Sequence, residues 1–123
     1  MADTRTVSIL GTDYEIFYNV EPEFDNMLKG KGGYISFVKK KIVLADLSKL
    51  EGFKDDEPDE IKLNTDGIIR HEVIHAFLYE SGLCANTNPV TSWADNEEMV
   101  DWMAIQFSKI LEVFELLDVL PKK

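Results

Sequence analysis

Cysteine, histidine and basic side chains are all scarce in this chain of 123 residues, and each scarcity removes a class of explanation. The one cysteine, Cys84, has no partner for an internal disulfide. With no charged-then-apolar leader at the start, a reducing cytoplasm is the expected compartment. Thirteen Lys and Arg against 23 Asp and Glu give a net charge of −10, which repels phosphate backbones and anionic headgroups. Nucleic acid and membrane surfaces are therefore poor partners. No apolar run approaches the roughly 20 residues that span a bilayer. Glycine-based phosphate cradles fail as well, because Gly30, Gly32 and Gly33 lack the preceding strand and the following Lys-Ser or Lys-Thr of a P-loop. What is present is apolar material, 45% of the residues, enough for the core of a single domain spanning 1–123.

Patterning divides the chain into a strand-rich first part and a helical second part. Thr6 to Leu10 and Tyr14 to Val20 read as a hairpin about a turn at Gly11, Thr12 and Asp13. Glu21 to Gly30, with Pro22 early and Gly30 late, reads as one short helix. Tyr34 to Val38 and Ile42 to Ala45 form a second strand pair around Lys39, Lys40 and Lys41. The acidic stretch Glu51 to Glu60 reads as a solvated loop. Asn64 to Gly82 has apolar residues at helical spacing, a cap at Thr65 or Asp66, and a stop at Gly82 and Leu83. After a loop over Cys84 to Val90, a second helix starts near Ser92 or Asp95 and ends about Leu117. Its stripe of Met99, Met103, Phe107, Ile110, Phe114 and Leu117 is expected to be core, and Pro121 to Lys123 a frayed end. The fold class is α+β, a small mostly antiparallel sheet packed on the first helix and on a long C-terminal helix.

Both histidines of the chain fall in one motif, His71-Glu72-Val73-Ile74-His75, inside the segment that is helical on independent grounds. Residues four apart lie one turn above each other, so two imidazoles can converge on one ion about 2.0–2.1 Å from each nitrogen. Glu72, offset by one position, is placed to reach a water on the metal, as a general base must. Two ordinary helix-face histidines would satisfy the same pattern, so a third donor decides the matter.

A catalytic zinc site takes three protein ligands and keeps a fourth position open. The second helix begins Asn96-Glu97-Glu98-Met99-Val100-Asp101, where Glu97 and Asp101 share a face. One carboxylate could bind metal, and the other could accept the second N–H of a ligand imidazole and so fix its tautomer. Glu98 competes with its neighbour, and the Asp101 partner at four residues favours Glu97. Cys84, nine residues after His75, is a further thiolate candidate, although a lone cysteine is more often a small apolar residue. Glu80 points away from the histidine face and is excluded.

HExxH followed by N-E-x-x-x-D resembles the gluzincin metallopeptidases. The resemblance implies His71, His75 and Glu97 as zinc ligands, Glu72 as general base, and Asp101 as the acid orienting a ligand histidine. In size and strand layout, with Gly33-Tyr34-Ile35 and Ile42-Val43-Leu44 ahead of the motif, the chain looks still more like the small phage- and mobile-element-associated peptidases of the ImmA/IrrE type. That likeness implies a minimal zincin-like fold and regulatory proteolysis of a protein such as a DNA-binding repressor. Larger gluzincins carry another histidine that stabilises the oxyanion, and this chain has none to spare. Tyr79, one turn after His75, is the nearest hydroxyl to take that role, and Tyr34 a more distant one.

The expected chemistry is zinc-dependent hydrolysis of a peptide bond in an extended protein or peptide substrate. The substrate would lie beside Ile42 to Ala45 as an exposed sheet edge, with Cys84 to Ala94 as a short second wall. Trp93 in that wall reads as a substrate contact or as a hydrophobic staple before the helix. The alternative is a zinc-stabilised interaction module that binds a regulatory protein without cleaving it.

Overall fold

The computed structural model describes residues 3–82 and 96–121. Strand β1 (Thr4–Ile9) turns into β2 (Thr12–Val20) through only two residues, since Ile9 pairs with Thr12. Leu10 and Gly11 both have positive φ, 50° and 87°, the backbone of a mirror-image hairpin turn. Thr12 and Asp13, expected in the turn, are therefore strand residues.

The expected helix over Glu21 to Gly30 is two separate 3-10 turns, Pro22–Phe24 and Asn26–Leu28. Asp25 breaks it: extended at φ −142°, it accepts a hydrogen bond from the Met27 backbone N–H at 3.0 Å and another from the Tyr34 hydroxyl at 2.7 Å. A short polar side chain that satisfies the backbone locally competes with the helix.

Strand β3 (Gly33–Ser36) pairs antiparallel with β4 (Lys41–Ala45), and β4 runs parallel to β2. The sheet is thus mixed, in the order β1-β2-β4-β3, with left-handed Asn19 in the irregularity between Phe17 and Val20. Ile42 to Ala45 is an interior strand, contrary to the expected exposed edge. Its four consecutive apolar residues are all buried: Ile42 and Leu44 face one cluster with Tyr14, Ile16 and Ala76, while Val43 and Ala45 face another with Leu28, Leu47 and Leu50. A run that is apolar at every position needs cover on both faces, which an edge strand lacks. The edge strands are β1 and β3.

Helix α1 (Pro58–Glu80) lays Ile68, Ile69, Val73 and Ala76 on the sheet. It begins inside the acidic stretch read as loop, so Thr65 and Asp66 are interior residues. Pro58 takes the first position and the Glu60 carboxylate accepts from the Glu57 backbone N–H at 3.0 Å. Carboxylates in a first turn complement the helix dipole, so that charge run is a start signal. The helix ends where expected, with Gly82 at φ +87° donating to the Tyr79 carbonyl at 3.1 Å. Leu83, the loop from Cys84 to Val90, Ser92, Trp93, Asp95 and the last two lysines lie outside the described residues.

Helix α2 (Glu97–Leu117) starts at Asn96, whose side chain accepts from the Met99 N–H at 3.0 Å. Its expected core stripe is not one. The fully buried positions are Val100 and Ala104, while Phe107, Phe114 and Leu117 are 58%, 45% and 62% exposed. Helical spacing identifies an apolar face but not what covers it, and among the described residues nothing covers the last turns. No helix among the described residues is long and apolar enough to cross a membrane.

Helix α1 approaches the edge strand closely because Gly32 and Gly33 have no side chains. A Cβ on Gly33 would stand 2.8 Å from Ile68 Cγ2 and 3.0 Å from the Val43 carbonyl oxygen. Gly33→Ala is expected to destabilise the fold by about 1–3 kcal/mol, since overpacking against backbone cannot relax cheaply. A thermal melt checks this, and an unchanged midpoint would refute the close approach.

Candidate metal centre

Helices α1 and α2 meet antiparallel, because His75 faces Glu97 while His71, one turn earlier, faces Asp101, one turn later. Small Val100 and Ala104, buried in α2, and Ala76, buried in α1, keep side-chain bulk low on the inward faces of the two helices. The Nε2 atoms of His71 and His75 lie 3.1 Å apart. Glu97 reaches both, with one carboxylate oxygen 2.6 Å from His75 Nε2 and the other 3.6 Å from His71 Nε2. One ligand atom from each of the three residues lies within 4.8 Å of the other two, and donors bound tetrahedrally about 2.0–2.1 Å from one ion lie about 3.3 Å apart. His71, His75 and Glu97 form a group that could hold a metal ion.

Asp101 completes the arrangement from outside. Its carboxylate lies 2.5 Å from His71 Nδ1. An ionised carboxylate only accepts, so Nδ1 carries the proton and Nε2 presents its lone pair toward Glu97 and His75. Glu97, and not adjacent Glu98, is the acid drawn to the histidines. Glu98 instead borders a shallow hollow beside Met99 and Trp102.

Glu72 is the one buried charged residue among those described, only 7% exposed. Burial pushes its carboxyl above the ordinary range, opposed by His71, reinforced by Glu97, opposed by Lys31 and reinforced by Asp101. An acid raised in this way takes a proton more readily near neutral pH. It borders a cleft of about 510 Å³ that also contains His71, Asp101, Gly32 and Gly33.

Each of the two tyrosines considered as oxyanion partners has defined neighbours. Tyr79 stacks on Phe37 at 4.3 Å and 7°, with Lys40 Nζ 4.8 Å from its ring centre. The Tyr34 hydroxyl donates to Asp25, and burial together with that partner raises its pKa to about 12. Cys84 lies outside the described residues.

Sequence spacing offered no hint of a second polar cluster at the far end of α1. Glu80 accepts from Thr12 Oγ1 at 3.0 Å, from the Tyr14 hydroxyl at 2.6 Å and from Lys40 Nζ at 2.7 Å. Its partners are 40 to 68 residues away in sequence, so only the tertiary fold assembles them. They hold Glu80 below the ordinary carboxylate range, Lys40 first and Tyr14 next, while Tyr14 itself is pushed up by burial and by Glu80.

Two outcomes follow from these contacts. A carboxyl held low when folded stabilises the fold above its unfolded range and ceases to do so as pH falls through the folded value. Glu80→Gln should therefore melt earlier than the unsubstituted protein at neutral pH, the gap closing as the solution is acidified through the range where carboxylates take up protons; a gap constant with pH would refute the linkage. Asp101→Asn should weaken zinc binding about 10- to 100-fold by calorimetric titration, and unchanged affinity would remove Asp101 from the site. No family model, curated protein or solved structure matches this chain.

Proposed function

We propose that the chain is a zinc-dependent endopeptidase of minimal zincin-like fold, acting in the cytoplasm on an extended segment of a protein. The observation that carries this reading is the convergence of His71 Nε2, His75 Nε2 and the Glu97 carboxylate beside a buried carboxyl, Glu72. A zinc ion held by those three residues would polarise the scissile carbonyl and acidify a water toward neutrality. Glu72 takes the proton from the attacking water and passes it to the leaving amine, giving a carboxylate and an amine as products. Asp101 keeps the His71 ring in the tautomer that the site needs.

The substrate lies along β3, the edge strand that runs on from the cleft residues Gly32 and Gly33, whose main-chain groups can receive an extended peptide. Gly32 and Gly33, just ahead of and at the start of that strand, line the cleft together with Glu72. The resemblance to gluzincins, and to ImmA/IrrE-type peptidases in particular, supports the same assignment of His71, Glu72, His75, Glu97 and Asp101. It is also the ground for expecting a regulatory protein as substrate.

A second reading, a zinc-stabilised module that binds a regulatory protein without cutting it, draws on the exposed apolar surface of α2. Trp102, Ile105, Phe107, Val113, Leu116 and Leu117 are all more than half exposed. The two readings separate at Glu72. Glu72→Gln should retain zinc, melt normally and lose at least about 100-fold in kcat on an unstructured protein substrate. Equal cleavage by both proteins, or none by the unsubstituted zinc-loaded chain, would reject the peptidase.

A further inference from the structure

The cleft beside Glu72 has a second end, toward the start of α1, that none of the hydrolytic roles uses. Gly67 lies there one turn before His71, on the same helix face, and has no side chain to fill the space. The guanidinium of Arg70 folds back over it: a Cβ placed on Gly67 would sit 3.7 Å from an Nη atom of Arg70. Helical side chains lean toward the N-terminus, so this is the relaxed direction for a long residue at position 70. Arg70 and Asn64 both line the cleft.

Arg70 is the one Lys or Arg among the residues that line this cleft. It forms no ion pair among the described residues, although the chain has 23 acidic residues to offer. The carboxylates that share the cleft are already placed: Asp101 accepts from His71, and Glu72 is buried against the histidine pair. A free guanidinium presents a planar fork that matches a carboxylate with two parallel hydrogen bonds.

We propose that this end of the cleft is a specificity subsite for a carboxylate of the substrate, bound by Arg70, so that cleavage is directed next to an acidic group. The inference rests on the peptidase reading and supplies the substrate class that reading leaves open. An acidic side chain and a free chain terminus offer the same chemistry, and the subsite would receive either. Charge steering of this kind also raises the encounter rate and weakens with salt.

The test uses the full zinc-loaded chain and fluorescence-quenched peptides in which a single Glu is moved through an Ala and Leu background. Each peptide is paired with its Gln counterpart, and each is made with a free or an amidated C-terminus. A charge-assisted pair predicts that kcat/KM favours the carboxylate by about tenfold or more. The Glu-to-Gln contrast reports a side chain, and the free-to-amide contrast a chain end. In Arg70→Gln the ratio should fall toward one with zinc content unchanged, in Arg70→Lys it should fall partway, and Lys109→Gln, on the exposed face of α2, should keep it. Equal rates for all pairs, or a preference that survives Arg70→Gln, overturns the subsite. Calorimetric affinities of the same peptides keep the two proposals apart. If no peptide is cut, the peptidase reading fails, and the subsite stands only if carboxylate peptides bind about tenfold tighter and Arg70→Gln abolishes the difference. Equal or absent binding rejects it.

Discussion

Antiparallel contact between α1 and α2 sets two four-residue spacings against each other, His71 and His75 on one side and Glu97 and Asp101 on the other. Every chemical feature of the centre depends on that meeting. Two imidazoles alone on a helix face are an ordinary pair of polar residues. With Glu97 2.6 Å from one ring and 3.6 Å from the other, the same pair becomes part of a group that could hold a metal ion. Asp101 then removes the remaining freedom, because a carboxylate at Nδ1 decides which nitrogen carries the proton.

The sheet provides what the helix pair cannot. Helix α1 buries Ala76 and packs Ile68, Ile69 and Val73 on strands β2 and β4, which fixes its rotation about its own axis and so the direction of His71 and His75. Gly32 and Gly33 let it come close to the edge strand, and that closeness buries Glu72. At the other end of the helix, Glu80 is held by Thr12 and Tyr14 of β2 and by Lys40 from the turn between β3 and β4. A ligand pair in mid-helix is thus anchored by apolar packing along its length and by a polar cluster at its C-terminal end.

Much of this was legible in the sequence because it is local. The HExxH spacing, the Gly82 stop and the pairing of Glu97 with Asp101 are each set within a few residues. The misread parts are those where a neighbour in space decides. Ile42 to Ala45 looks the same as an edge or as an interior strand until β2 is found beside it. Glu21 to Gly30 has helix-like spacing, but Asp25 satisfies the backbone of Met27 and the hydroxyl of Tyr34 instead. The acids from Glu57 to Glu60 serve the helix start rather than a solvated loop, a distinction that composition does not carry. The α2 stripe has the period of a buried face, yet Phe107, Phe114 and Leu117 are open. Glu80 and its partners, 40 to 68 residues apart, left no mark in any spacing.

X-ray absorption at the zinc edge tests the centre most directly, because it reads the number and kind of atoms around the ion. Two imidazole nitrogens and at least one carboxylate oxygen at about 2.0–2.1 Å are expected, with the carboxylate contribution lost in Glu97→Ala. Sulfur in the shell, or a spectrum unchanged by that substitution, would contradict the His71, His75 and Glu97 centre.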